Sequence, residues 1–345
     1  MVVPTWAATL CRCIYIWQPV NYRPILPHKP VPERVVAPMA AEINFDAITA
    51  LESRVKFYMN DMKGAYEAAL KLIDTKRYPL NAPEAKAFED MWLHDKSAET
   101  ILTLNIQRPD ELAPGTSLYG PDISLSCEDE DGTVGANSPS FIPSVWVVEM
   151  YDDKDLRKNL YFEPQYVNYL DAFTASDIYV VAKNKGNQEY SDAKDEVKYK
   201  HWGGYIPNGL NAPKIFRIAE FYLIASEAAY LLKDEANAIK YLNALKESRG
   251  LQPIALKGAE LFSEIKKERA REFAFEGFRL WDLRRWGEGM QRHDPQEDPI
   301  MGSVFLNPDN LELKIPADNP KFIWPIPFDD IKNTPALATQ QNPGF

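Results

Sequence analysis

Two stretches of the chain carry the same helical pattern, and this repetition constrains the fold more than any other feature. In residues 41–75, apolar side chains recur at steps of three and four residues, with Ile48 and Leu51 in a first stripe and Ala65 and Leu72 in a second. The polar segment NDMKG separates the two stripes. This periodicity is typical of two amphipathic helices that are joined by a short turn into an antiparallel hairpin.

The same periodicity predicts a second hairpin in residues 214–250. A shift of 234 − 61 = 173 residues places Asp61 on Asp234, and it also aligns the small and apolar positions of the two second helices. Gly250 follows the last apolar position, where a glycine commonly ends a helix in the left-handed conformation. The two hairpins therefore indicate an internal repeat of tetratricopeptide type.

The other segments are a proline-rich arm, a turn-rich insertion with short β-rich runs, a further helical stretch and a proline-punctuated tail. They cover residues 1–40, 81–213, 259–288 and 318–345, respectively. The arm and the tail are expected to be irregular, and the insertion is expected to carry small strands. We thus predict a mainly α fold in which the arm precedes one domain over residues 41–345.

Composition and charge argue against several classes of function. Acidic residues exceed basic ones by 50 − 39 = 11, and the basic residues form no stripe, so a nucleic-acid partner is not expected. No run approaches the ~20 apolar residues of a membrane-spanning helix. The three cysteines and four histidines show no ligand spacing, so we expect neither a disulfide framework nor a metal site. Known catalytic and cofactor motifs are not recognisable, and no cofactor is expected.

The densest motif is EFAFEGFRLWDLRRWG, which begins at Glu272. Glu272 and Glu276 lie on one face of a helix, and glycosidases use paired carboxylates. Those pairs flank a bond from opposite sides, however, and Arg269, Arg271 and Arg279 are expected to keep both glutamates ionised. We therefore interpret the motif as an ion-pair and packing module, with its aromatic rings in the core, rather than as an active site.

Several motifs resemble the SusD/RagB family of Bacteroidetes surface lipoproteins. FRIAEFYLIASEAAYLL, KKERAREFAFEGFRLWDLRRWG and the closing KFIWPIPFDDIKNTPALATQQNPGF are similar to successive segments of that family. The positions that match its signature are Glu268, Arg269, Glu272, Glu276, Gly277, Arg279, Asp282, Leu283, Arg285, Trp286 and Gly287. The resemblance covers about residues 45–345, and the segment PSVWVVEMYDDKDLR departs from the family pattern at Ser144 and Trp146.

The resemblance implies a function without catalysis. Members of the family are helical, tetratricopeptide-bearing lipoproteins of the outer-membrane surface, which bind oligosaccharides and cover a SusC-like TonB-dependent transporter. We accordingly expect three partners: an oligosaccharide, such a transporter and, through a lipid anchor, the outer membrane. The N terminus shows neither a secretion signal nor a small residue before Cys11, and the similarity begins in mid-protein. Part of the usual first helices and sugar-binding face is therefore expected to be absent.

A second function remains open from the helical pattern. Stacked hairpins form concave surfaces that bind proteins, so the chain could be a tetratricopeptide-type scaffold whose ligand is a peptide or a protein.

Candidate sugar contacts are aromatic rings and amides in the loop-rich insertion. The CH faces of sugars stack on aromatic rings, while amide and carboxyl groups bind the hydroxyls. Nearby glycines and prolines favour turns that present side chains outward. The candidates are Tyr119, Asn137, Trp146, Trp202 and Tyr205. For each aromatic residue among them, packing against a neighbouring loop is the alternative.

Overall fold

The computed structural model describes residues 43–104, 126–129, 132–139, 141–169, 173–191, 194–207, 209–300, 302–304 and 313–344. The predicted arm and Tyr119 lie outside these residues. The fold is mainly α, as predicted. The α-helices are α1 (Phe45–Tyr58), α2 (Met62–Asp74), α3 (Ala85–Leu93), α4 (Val145–Glu149), α5 (Lys158–Tyr161), α6 (Ile218–Leu231), α7 (Glu235–Ser248), α8 (Gly258–Glu272), α9 (Arg279–Trp286) and α10 (Phe328–Asn333).

The strands lie mainly in the predicted insertion. They are β1 (Thr100–Thr103), β2 (Ser126–Asp129), β3 (Gly132–Asn137), β4 (Phe162–Tyr169), β5 (Phe173–Val181), β6 (Lys214–Arg217), β7 (Met290–Gln291), β8 (Glu297–Asp298), β9 (Gly302–Ser303) and β10 (Lys314–Ile315). β2, β3, β4 and β5 form one sheet in that order, in which only the β3–β4 pair is parallel. β4 and β5 have 8 and 9 residues, so these strands are longer than the small strands that the sequence predicted.

The two hairpins, α1–α2 and α6–α7, begin their second helices in the same way. The Asp61 carboxylate accepts a hydrogen bond from the backbone N–H of Gly64 at 2.9 Å, and that of Asp234 accepts one from Asn237 at 3.1 Å. Each aspartate thereby satisfies a backbone donor that the first turn of a helix leaves unpaired. The caps are related by the offset of 173 residues that the sequence indicated.

A second pair of equivalent hydrogen bonds joins the helices within each hairpin. The Ser53 hydroxyl donates to the carbonyl of Ala65 at 3.0 Å, and the Ser226 hydroxyl donates to the carbonyl of Ala238 at 2.8 Å. All four residues are buried. Since a serine and an alanine leave little side-chain bulk between the helices, a hydroxyl can reach across to the neighbouring backbone. These matching contacts confirm the predicted internal repeat.

The hairpins pack on each other through α2 and α6 and form a shared core. Ala65 and Ala69 are buried in this core, which agrees with the expectation that small residues allow the helices to approach closely. α8 then packs against α6 and α7, where Leu261 and Ile265 contact the apolar faces of the second hairpin. The signature stretch thus continues directly from the hairpin scaffold.

One predicted apolar stripe is wrong. Ile48 and Leu51 were expected to face the core, but they are exposed, whereas Ala47, Ala50 and Phe57 are buried. The helix has apolar side chains on both faces, and the alanine face permits the closer approach to α2 and α6. Periodicity alone could not show which face is buried.

The tail also differs from the irregular segment that was expected. It contains α10 and 3₁₀ turns at Pro320–Phe322 and Pro335–Gln340. Gln341 closes this region, because its side-chain amide donates to the carbonyl of Ile326 and its side-chain oxygen accepts from the Ile326 N–H. Prolines therefore interrupt the helices here without preventing short helical turns.

Replacement of either buried serine should weaken the hairpin that contains it. We expect Ser53→Ala and Ser226→Ala each to lower the free energy of unfolding by about 1 kcal/mol, because a buried hydrogen bond is lost. Urea unfolding followed by circular dichroism measures this. Thr49→Ala is the matched control, since the Thr49 hydroxyl is exposed and bonds only within α1. Serine variants that unfold like this control would contradict the assigned role.

Candidate functional site

A cleft of about 330 Å³ opens where α4 meets the segment that follows β7. Its described lining combines apolar and polar side chains from three parts of the chain. The lining residues are Val145, Trp146, Gln291, Arg292, His293, Asp294, Pro295 and Leu313. An open cleft with an apolar wall and a few polar groups is the common form of a small-ligand site.

Trp146 and His293 form the wall of this cleft. Their rings are stacked, with 3.9 Å between centroids and 16° between planes. Trp146 nevertheless remains 43% exposed, because the imidazole covers only part of the indole. The stack therefore fixes the orientation of a large aromatic ring while leaving much of its surface open to solvent.

Gln296 explains why two residues so far apart in the sequence meet. Its side chain is buried, and its amide donates to the carbonyls of Pro143 at 2.7 Å and Tyr179 at 2.9 Å. Its side-chain oxygen accepts from the Tyr179 N–H at 2.8 Å. These bonds attach the segment that carries His293 both to β5 and to the residues just before α4. Gln296 thereby positions the aromatic wall.

A short ladder fixes the opposite side of the cleft. β7 and β10 pair antiparallel, and the backbone N–H of Arg292 donates to the carbonyl of Leu313. The side chains of Arg292 and Asp294 are exposed. Within the part of the chain that the structure describes, neither forms an ion pair, so a cationic donor and an anionic acceptor are both available beside the aromatic wall.

Among the predicted sugar contacts whose side chains the structure describes, only Trp146 lines the cleft. Trp202 and Tyr205 are 1% and 2% exposed, and the Tyr205 hydroxyl donates to the carbonyl of Gly186 at 2.9 Å. Rings buried this deeply present no face to a ligand, so packing, the alternative for these two residues, is favoured. Asn137 ends β3, but its side chain lies outside the described part of the structure.

The other cleft residues were not predicted from the sequence. Arg292, His293 and Asp294 stand in the polar run MQRHDPQ, where His293 was noted only as one of four scattered histidines. Pro295 disfavours a helical conformation at the residue before it and therefore favours an extended segment. Nothing local connects this run with Trp146, because the contact depends on the distant hydrogen bonds of Gln296.

The paired glutamates of the signature motif are at the centre of a buried ion-pair network. Glu272 is fully buried and accepts hydrogen bonds from Arg157 at 2.9 Å, Arg217 at 2.8 Å and Arg249 at 2.8 Å. Glu276 accepts from Lys183 at 2.5 Å and from Arg217 at 2.7 Å. Both glutamates are therefore ion-paired, as expected.

The partners of these glutamates differ from those that were expected. Arg269 pairs with Asp282 at 3.0 Å, and Arg271 pairs with Glu268 at 2.7 Å. Arg279 is exposed and contacts neither glutamate. A helix places side chains three or four residues apart near one another, but here the buried face turns the glutamates toward arginines from other elements.

Burial and charge act in opposite directions on these carboxyl groups. Burial alone would raise the pKa of Glu272, but the guanidinium groups of Arg249, Arg217 and Arg157 outweigh it and hold this pKa well below its usual range. Burial would also raise the pKa of Glu268, but the guanidinium groups of Arg157 and Arg271 outweigh this effect and lower the pKa to about 2. Neither carboxyl group can serve as a proton donor near neutral pH.

Two other kinds of feature are absent from the described residues. No group of three or more His, Cys, Asp and Glu side chains among them could hold a metal ion. None of the helices in the described ranges combines the length and the apolar character that crossing a membrane requires.

Comparison with known proteins identifies relatives of this chain. The model of the SusD family matches residues 147–345. A SusD-like protein of Formosa agariphila is 22% identical and is aligned over 84% of this chain and 58% of its own length. The chain thus spans well under two thirds of that relative.

Solved structures show the same fold. A SusD superfamily protein from Bacteroides thetaiotaomicron is 25% identical, with a TM-score of 0.62 over 87% of this chain and 61% of that protein. A SusD-like carbohydrate binding protein from Bacteroides vulgatus is 22% identical, with a TM-score of 0.59 over 87% of this chain and 60% of that protein. The helical scaffold described above is therefore similar to that of these proteins.

The low pKa of Glu268 predicts a loss of stability in acid. Its pKa is about 2 in the folded protein and about 4.5 when unperturbed, so the unfolded chain binds the proton first. The resulting stabilisation, on the order of 3 kcal/mol, is present above pH 4.5 and is lost as the pH falls toward 2. Urea unfolding at pH 6, 5, 4 and 3 measures the decline.

Glu268→Gln should be less stable at pH 6 and should show a shallower decline below pH 5. Glu260→Gln is the control, because Glu260 is an exposed carboxylate at the start of the same helix. A wild-type stability that stays constant from pH 5 to pH 3 would contradict the assigned ion pairs.

Proposed function

Because the chain belongs to the SusD family, we propose that it is a non-catalytic glycan-binding protein whose ligand contacts the cleft at Trp146. The observation that carries this proposal is the indole of Trp146, which is held by His293, remains 43% exposed and lies beside polar side chains that form no ion pair with any described residue. A solved relative is itself a carbohydrate binding protein.

The chemistry of the cleft suits a sugar ring. A pyranose presents CH groups on its faces, and these groups pack on an aromatic plane such as Trp146. Its hydroxyls lie around the edge of the ring, where Arg292 can donate hydrogen bonds and Asp294 can accept them. The apolar side chains of Val145 and Leu313 complete the described wall. One cleft therefore offers both kinds of contact that a sugar requires.

The arrangement of carboxylates supports binding rather than hydrolysis. Asp294 is the single carboxylate among the described residues that line the cleft, whereas glycosidases generally use two that flank the scissile bond. The paired Glu272 and Glu276 are ion-paired, and burial in the network separates Glu272 from solvent. Asp294 alone cannot be both the acid and the base that glycoside cleavage needs, and the ion-paired Glu272 and Glu276 do not supply them either.

The proposed setting is an uptake complex at the outer-membrane surface. Membership of the family supports a SusC-like TonB-dependent transporter as partner and a lipid anchor as the attachment to the membrane. In this role the protein binds an oligosaccharide outside the cell and delivers it to the transporter. The helical hairpins supply a broad surface for such a protein partner.

Trp146→Ala should weaken glycan binding without affecting stability. We expect a loss of about 1–2 kcal/mol in binding, which is roughly tenfold in affinity, because the stacking surface is removed. Calorimetry against a panel of plant and host oligosaccharides first identifies a ligand and then measures the variant. The melting temperature should hardly change, because the ring is already partly in solvent.

Trp202→Ala provides the contrast. It should lower the free energy of unfolding by about 3–5 kcal/mol, since a buried ring leaves a cavity. At a temperature where it is folded, its glycan affinity should equal that of the wild type. Unchanged affinity in the Trp146 variant would place the ligand elsewhere, and the absence of binding to every oligosaccharide would contradict the proposed function.

Purification from the cells that produce the protein tests the partner. Affinity-tagged protein, extracted in a mild detergent, is expected to bring down a TonB-dependent transporter that mass spectrometry identifies. An unrelated tagged lipoprotein from the same membrane is the control. Recovery of a soluble protein alone, together with an absence of glycan binding, would favour the tetratricopeptide-type scaffold instead.

A further inference from the structure

A second and larger cavity lies on the hairpin side of the signature motif. It measures about 670 Å³ and separates the end of α1 from the segment that leads into α9. We call it the signature groove, and its described lining consists of Arg54, Tyr58, Glu276, Gly277, Phe278, Trp281, Arg284 and Arg285. None of these residues lines the cleft at Trp146.

The signature groove exposes an aromatic surface where the sequence predicted a core. Trp281 was expected to pack inside with the other rings of the motif, but it is 51% exposed. Gly277 adopts a φ of 82°, and a side chain added there would meet no atom within 4 Å. The backbone is therefore open beside the exposed indole, so a ligand can approach both.

Among the described residues, every charged side chain that lines the groove has an ion-pair partner except Arg284. Arg54 is bound by Glu220, and Arg285 is bound by Glu227. The carboxylate of Glu276 is engaged by Lys183 and Arg217. Arg284 is exposed and forms no ion pair with any described residue, although its guanidinium carbon lies 5.8 Å from the ring centroid of Trp281. Within the described part of the chain, the positive charge beside the indole is therefore uncompensated.

The hydroxyl of Tyr58 is a further, neutral donor in the lining of the groove. Burial raises the pKa of Tyr58 to about 12, so its hydroxyl stays protonated at neutral pH and can donate. The single carboxylate in the described lining, Glu276, is occupied by its two cations. The groove therefore favours a ligand that supplies accepting oxygens and a negative charge, even though the chain as a whole has a net charge of −11.

We propose that the signature groove binds an acidic oligosaccharide, with a sugar ring on Trp281 and the carboxylate of a uronic acid on Arg284. A guanidinium group matches the geometry of a carboxylate and can form two parallel hydrogen bonds with it. A ring stacked on the indole places its substituents at the edge, where Arg284 lies on the same face of α9, three residues along the helix. This second site is independent of the cleft at Trp146.

The walls of the groove favour a sugar over an extended peptide. Arg54 and Tyr58 project from α1, and Trp281 and Arg284 project from α9, so helical backbone forms much of both sides. The main-chain groups of a helix interior are already paired, and an extended peptide therefore finds no strand edge to join. A sugar needs only the aromatic face and the side-chain donors, which the groove provides.

Calorimetry with trigalacturonate tests the proposal on the full 345-residue chain. The matched ligand is the same trisaccharide with its carboxylates converted to methyl esters. We expect trigalacturonate to bind at least about tenfold more tightly than the ester, and Arg284→Gln to remove this preference. Arg279→Gln is the matched control, because Arg279 is an exposed arginine of the same helix that does not line the groove.

Each other outcome would overturn the proposal. Equal affinity for acid and ester, or no binding of the acid, would show that the free charge of Arg284 recognises no carboxylate. An equal loss in Arg279→Gln would indicate general charge attraction. Loss of acid binding in Trp146→Ala but not in Arg284→Gln would place the acidic sugar in the cleft and leave the proposed function intact. Binding of hexaglutamate that depends on Arg284, without binding of trigalacturonate, would indicate an acidic peptide instead.

Discussion

The buried carboxylate of Glu272 is the contact on which the rest of the structure depends. It is bound by Arg157 from the insertion, by Arg217 at the end of β6 and by Arg249 at the end of α7. Glu99, beside β1, also binds Arg249. Removing charges from water is costly, so the network adds little stability compared with well-packed apolar residues of similar volume. Loss of one partner, however, leaves an unpaired buried charge and costs about 3–5 kcal/mol. The network therefore favours one arrangement of these elements.

This arrangement determines where a ligand can bind. Arg157 attaches the start of α5 to α8, and β4 and β5 follow directly in the chain. Gln296 then hydrogen-bonds to Tyr179 of β5 and brings His293 against Trp146. The aromatic wall of the cleft is thus connected to the ion-pair network through a continuous series of packed elements. Directional contacts, and not apolar packing alone, therefore set the position of the cleft wall.

Local sequence patterns predicted the hairpins. They did not predict the partners of Glu272 or the contact between His293 and Trp146, because these contacts join residues that are far apart in the sequence. The helices of the hairpins and the turn at Gly250 involve residues close in sequence, so periodicity and the preference of glycine for helix ends were sufficient to predict them. The repeat also aligned Asp61 with Asp234, which the structure shows to be equivalent caps. The partners of Glu272 lie up to 115 residues away, and the helical spacing indicated the wrong arginines. Trp146 was identified as a candidate, but His293 was not, because only the distant bonds of Gln296 bring the two rings together.

In the two proposed sites, the exposed rings of Trp146 and Trp281 are similar, but the ligands assigned to them differ. Leaving an indole in solvent forgoes part of the stabilisation that its burial provides, so a half-exposed ring held in one orientation is better suited to binding than to stability. Beside Trp146, Arg292 and Asp294 balance each other in charge, which suits the hydroxyls of a neutral sugar. Beside Trp281, the charge of Arg284 is uncompensated among the described residues, which suits an acidic one. In both proposed sites the aromatic ring supplies the stacking surface, and the neighbouring charges select the class of sugar.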